Sequence, residues 1–284
     1  MPLAANLLAA SAQEIQPTPT PDQSTDPQTE PPKPVPAEIT EKEEEHVPSD
    51  LPDLLRALSE SSKPKWSEYY RPPIKTRSDR NVGAIALGGV VADIHLATQG
   101  FDVRQVKNLG MEVEAHSRNL GIDEKIGGEV RVLSEAAGTE KWDDVRKAAA
   151  NLEKKLKEEL VKQRDTDLAT LLEVGFWLRA LEVASGIIQA DTEAKDLSLC
   201  IGCPKRLEQM ERKLQELGEE TRKQPVVAEI EAEVGRLVRR WDDPGEGFNR
   251  EDVDASHTKI RNLLRRIFEN KVPKPPEEDK GGSS

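Results

Sequence analysis

Aromatic residues are scarce in this chain: four Trp, two Tyr and four Phe make up 4% of its 284 residues. Strands are enriched in aromatic and β-branched side chains, so the shortage argues for helices packed through Leu, Val, Ile and Ala. Cysteine is scarcer still. Two residues cannot build a four-thiolate zinc site within one copy. A basic excess is missing too: the formal net charge is -12 and the pI about 5.1, so the molecule as a whole repels phosphate backbones and anionic membrane surfaces. Nucleic acid is therefore not an expected partner. The best local exception is Arg261, Arg265 and Arg266 on the last expected helix, which reads as a solvated face carrying cations near a helix C-terminus.

Motifs that would announce an enzyme are absent. There is no HExxH, GxSxG, Walker-type loop, dinucleotide fingerprint or calcium loop, and Gly88, Gly89, Gly127 and Gly128 fall within helical patterns rather than after strands. No cofactor and no metal are expected. No stretch is expected to span a bilayer either, because the best candidate, residues 168–188, contains Glu173, Arg179 and Glu182.

What is present divides the chain into four parts. Residues 1–12 form a short apolar run ending Ala10, Ser11, Ala12, the small-x-small form of a signal-peptidase site without its basic n-region. They read as a truncated signal-peptide remnant, which points to export to the periplasm or cell envelope, with a cytoplasmic location as the alternative. Residues 13–77 read as a disordered tether rich in Pro, Thr and Glu, with one short helix near Asp50 to Leu58 and an aromatic segment, Trp66, Tyr69 and Tyr70, that docks on the domain, with docking on a partner as the alternative. Residues 78–271 read as a helical domain, with core helices over 78–190 and C-terminal helices over 203–270. Residues 272–284 read as a disordered tail.

Within the domain the spacing predicts an all-α multi-helix bundle of about seven helices in antiparallel hairpins. Asn81 to Gln99 is a helix of small residues after the candidate caps Ser78 and Asp79, Asp102 caps a second, and Gly121 supplies a left-handed stop. A shorter helix runs from Asp123 to Ala137. Trp142, Val145, Ala149, Leu152 and Leu156 recur at three and four, the seam of a hairpin whose partner, Asp165 to Ala190, is apolar almost all round and so should be central. Pro204 opens a helix stopped by Gly218. Two more stripes follow, Val227 to Trp241 and Val253 to Ile267 behind Asn249.

Three clusters carry chemical content. Cys200 and Cys203, in Cys-Ile-Gly-Cys-Pro at a helix N-terminus, have the arrangement that lowers a thiol pKa. Without a βαβ context, a structural disulfide or inert thiols is the simpler reading of that pair, with redox activity or metal binding as the alternatives. Asp93, His95, Arg179 and Glu182 are candidate pocket residues: buried together they could hold an anionic ligand or act as an acid–base pair. The plainer reading is that Arg179 and Glu182 satisfy each other at i, i+3, and that His95 is a hydrogen-bonded core residue. His257, on its apolar stripe, is the weakest candidate.

Two stretches, residues 87–122 and the central Leu-Leu-Glu-Val-Gly-Phe-Trp-Leu-Arg run from Leu171, resemble an uncharacterised group of exported bacterial all-helical proteins with a small-residue first helix and a Gly-aromatic-Trp-Leu-Arg central helix. The resemblance covers Asn81 to Ala190 and implies an export route and a helical fold. It implies no activity, cofactor or site residue. The expected function is a non-enzymatic helical interaction or structural module with a protein partner. The alternative is a small-ligand-binding or sensory bundle with a buried polar pocket, and a thiol redox protein comes last.

Overall fold

The computed structural model describes residues 47–243, 245 and 247–269. The signal-peptide-like stretch 1–12, the Pro-rich stretch up to residue 46 and the tail 272–284 lie outside the described residues. Those described form ten α-helices and no strand: α1 (Leu51–Ser61), α2 (Arg80–Gln99), α3 (Val103–Leu120), α4 (Asp123–Gly138), α5 (Trp142–Lys162), α6 (Thr166–Ala190), α7 (Pro204–Gln215), α8 (Glu219–Arg222), α9 (Pro225–Asp242) and α10 (Arg250–Glu269). Short 3-10 turns occupy Trp66–Tyr69 and Leu197–Ile201.

Connections of two or three residues force α2 to α6 into antiparallel neighbours. Each connection turns through one left-handed residue: Phe101 (φ 52°), Gly121 (φ 75°), Glu140 (φ 56°) and Arg164 (φ 64°). Three of them close with a bond from the following N–H back over five residues, Asp102 to Ala97, Ile122 to Ser117 and Asp165 to Leu160. That bond satisfies a helix-end carbonyl and offsets the cost of a left-handed side-chain-bearing residue. The carboxylates of Asp79 and Asp102 cap the next starts by accepting from backbone N–H groups.

The helices α2 and α6 are buried on nearly every face and lie against each other. They meet at two glycines. A Cβ at Gly88 would sit 2.0 Å from the Leu172 carbonyl oxygen, and one at Gly175 would sit 1.9 Å from that of Ile85. The two backbones touch, and only hydrogen fits between them. Around this pair α3, α4 and α5 close one side, while α10 covers α6 on the other and α7 packs on α9. All belong to one continuous apolar core.

Two expectations change. The packed body begins near residue 47, not 78. Leu51, Leu54, Leu55 and Leu58 of α1 are buried in the same core, as is Ile74, and Trp66, Tyr69 and Tyr70 pack against it. Residues 66–77 thus form a strap bound along the bundle, and a composition suited to a tether is held by the polar contacts described below. Second, α2 is long and apolar enough by length and composition to cross a membrane, with mean hydropathy 1.4, a property expected of no stretch. Its Val, Ile and Leu side chains carry that apolarity, and here they are buried in the packing of α2 against α3 and α6.

Candidate functional site

The close approach of α2 and α6 places Asp93 opposite Arg179. Arg179 Nε donates to Asp93 Oδ1 at 2.8 Å, Nη1 to Glu182 Oε2 at 2.6 Å and Nη2 to the Tyr69 carbonyl oxygen at 2.5 Å. The strap adds Arg71, whose Nε lies 2.6 Å from Asp93 Oδ2 as a charge contact without an aligned hydrogen bond. Its Nη1 donates to Glu112 Oε1 at 3.0 Å and to the Pro72 carbonyl at 2.8 Å. Two guanidinium groups and three carboxylates from the strap, α2, α3 and α6 therefore form one buried chain of charge. Burial alone would lower the Arg179 pKa, but Asp93 and Glu182 outweigh it and raise the value above the ordinary one. Burial raises the Glu112 pKa, against the opposing pull of Arg71 and of the Ile74 N–H.

The strap backbone is gripped by side chains along its length. Ile74 N–H donates to Glu112 Oε1 at 2.6 Å, and the Ile74 carbonyl lies 3.1 Å from His116 Nε2. A carbonyl only accepts, so Nε2 carries the proton. Asn119 Nδ2 donates to the Arg77 carbonyl, and the Arg77 guanidinium reaches the carbonyl of Phe268 on α10. Burial pushes the His116 pKa down to about 4, with Arg71 and Arg77 adding to the effect and the Ile74 carbonyl opposing it.

His95 does not join Asp93. Two positions on a helix are separated by about 200°, so His95 faces α5, with Nε2 3.7 Å from Glu153 Oε2 and its ring edge-on to Phe176 at 5.6 Å. Burial would raise the Glu153 pKa, but His95 and Lys157 outweigh it and hold the carboxyl at about 2. The expected four-residue pocket is therefore two sites: Asp93, Arg179 and Glu182 come together, and His95 belongs to another contact.

Beside the charge chain runs an open cleft of about 560 Å³ between the strap, α6 and α10. Val183, Gly186 and Ala190 line it from α6, Tyr69, Tyr70 and Arg71 from the strap, and His257, Arg261, Arg265 and Phe268 from α10. Phe268 is seated over Gly89, where a Cβ would stand 2.8 Å from its ring, and the Arg71 guanidinium lies 5.3 Å from the ring centroid. His257 Nδ1 lies 3.2 Å from Ser185 Oγ, and burial lowers its pKa. Of the expected basic strip, Arg261 and Arg265 border the cleft, while Arg266 pairs with Glu229 outside it.

Cys200 and Cys203 are buried, unbridged thiols, so the disulfide expected for the loop is not what fixes it. Cys203 is the N-cap of α7 and lies 3.3 Å from the Asp50 carbonyl, tying α1 to the start of α7. A helix N-terminus favours thiolate. Here burial wins and pushes both thiols up to about 12, reinforced by Asp252 near Cys200 and by Asp50 near Cys203. Among the described residues no group of three or more His, Cys, Asp or Glu is placed to share a metal ion.

Arg71 and Glu112 are absent from the residues singled out by sequence. Arg71 lies in a Pro-flanked stretch of tether-like composition, and Glu112 on an ordinary charged helix face. No family model matches this chain, and no curated protein and no solved structure matches it.

Proposed function

We propose that this chain is a non-enzymatic helical interaction module, exported to the cell envelope and presenting its folded body to a protein partner. One observation carries the reading: the ionisable groups of the core are committed to one another and to the strap backbone. Such a network rigidifies a body, and the groups within it are held by structural partners. Thiols held near 12 support the same reading over redox chemistry. The test is a native pull-down with the full chain and with a variant lacking residues 13–46, followed by reassembly from purified components. A partner that binds both forms directly places the surface on the helical body. Binding that disappears with residues 13–46, or that fails to reassemble, ends the proposal.

A second reading, a small-ligand-binding bundle, is favoured by the cleft of about 560 Å³ beside the charge chain. That volume lies within the range of ordinary small-molecule sites. The two readings are compatible on one body, since a ligand held under the strap leaves the other helix faces for a partner.

A further inference from the structure

We propose that the cleft between the strap and α10 binds a small amphipathic carboxylate, its acid group held by Arg261 and Arg265, one turn apart on α10, and its apolar body lying on α6. The inference rests on the small-ligand reading of the cleft and names the ligand class. It starts from an imbalance of charge. Arg71 spends Nη1 on Glu112 and Pro72, but its Nη2 is buried with no acceptor among the described residues, although the side chain is only 10% exposed. That donor has no exposed surface and so sits behind the cleft wall, which leaves the exposed cations of α10 as the groups open to a ligand.

The acidic groups bordering the cleft are already engaged. Glu68 pairs with Lys65 at 3.0 Å, Glu182 with Arg179 at 2.6 Å, and Glu269 is engaged as well. The cations on the α10 side are not matched in the same way: Arg265 reaches only Asn262 Oδ1, at 3.4 Å, and Arg261 has no ion-pair partner among the described residues. The unpaired charge on the α10 border of the cleft is therefore positive, in a chain whose net charge is -12. Val183 and Ala190 offer an apolar floor from α6, and between them Gly186 is covered by the His257 and Tyr69 rings. Basic groups at one border and an apolar floor at the other match a ligand with a carboxylate head and a short aliphatic or aromatic body.

The test uses the full chain and three probes that share one apolar body: octanoate, octanol and octylamine. Binding is read by titration calorimetry, and its location by the shift of the His257 ring resonances in NMR. Octanoate is expected to bind at least about tenfold more tightly than either analogue and to shift His257. Arg261→Glu with Arg265→Glu, both on the exposed face of α10, is expected to weaken octanoate at least about tenfold without moving Tm. If octanol or octylamine binds as well as octanoate, the carboxylate class is overturned while the cleft still counts as a ligand site. If none of the three binds, the ligand-site reading falls with it. Octanoate binding that the double variant leaves unchanged also overturns the proposal.

Discussion

The central helix pair and the strap are attached to the same body by opposite means. Where α2 meets α6, two glycines let backbone lie on backbone, and the contact is apolar and steric. Where residues 66–77 meet α3 and α6, the grip consists of guanidinium, carboxylate, imidazole and amide groups holding backbone atoms. A dispersion contact tolerates no added atom but is indifferent to pH. A polar contact tolerates shape better and depends on every partner's charge.

The steric side should break hardest. Gly175→Val places side-chain atoms where the Ile85 backbone already sits, so the helices must part, and a loss of at least about 4 kcal/mol is expected in urea denaturation. A variant that folds with near-native stability would show that α2 and α6 can slide. Next comes the charge chain. Asp93→Ala leaves Arg71 and Arg179 facing each other with one anion gone, and a cost of about 3 kcal/mol is expected. Loss of strap protection, read as faster trypsin cleavage at Lys75, should accompany it.

A smaller effect separates the two attachments by pH. The folded-state pKa of His116, about 4, lies below its ordinary value of 6.5. As pH falls from 6.5 the unfolded chain takes a proton that the folded chain refuses, so this group's contribution is lost between about 6.5 and 4. The loss is about 3 kcal/mol. His116→Gln keeps a donor for the Ile74 carbonyl and removes the titration, so the slope of stability against pH in that window should flatten. An unchanged slope would assign the acid sensitivity elsewhere. The smallest effect concerns the thiols. Dithiothreitol should leave Tm unchanged, and iodoacetamide should label Cys200 and Cys203 only once urea unfolds the chain.

The apolar side of this comparison is legible in the sequence and the polar side mostly is not. Asp79, Asp102 and Gly121 act within a few residues of themselves, so their roles as caps and stop can be read locally. The nearly uniform apolarity of α6 likewise announces a central helix. Arg179 and Glu182 are one turn apart, and their pairing follows from spacing. The Arg71 to Asp93 contact depends on how the chain folds back, and Pro72 and Pro73 erase any periodic signal in the strap. Three of the four left-handed turns are equally hidden, because Phe101, Glu140 and Arg164 carry none of glycine's signature. Separating His95 from Asp93 needed only the helical period, since two positions cannot share a face. The N-cap position of Cys203 is visible in sequence, whereas the burial that reverses its acidity is a property of the packed whole.

The apolarity of α2 bears on how the chain is made. A polypeptide is synthesised from its N-terminus, so α2 is complete while residues 100–165 are still to come, and α6, which later lies along it, does not yet exist. During that interval Arg80–Gln99 presents newborn chain with the length and composition of a bilayer span. The hairpin of α2 with α3 is the first shelter available, and any product truncated before α6 would leave this apolar segment half dressed.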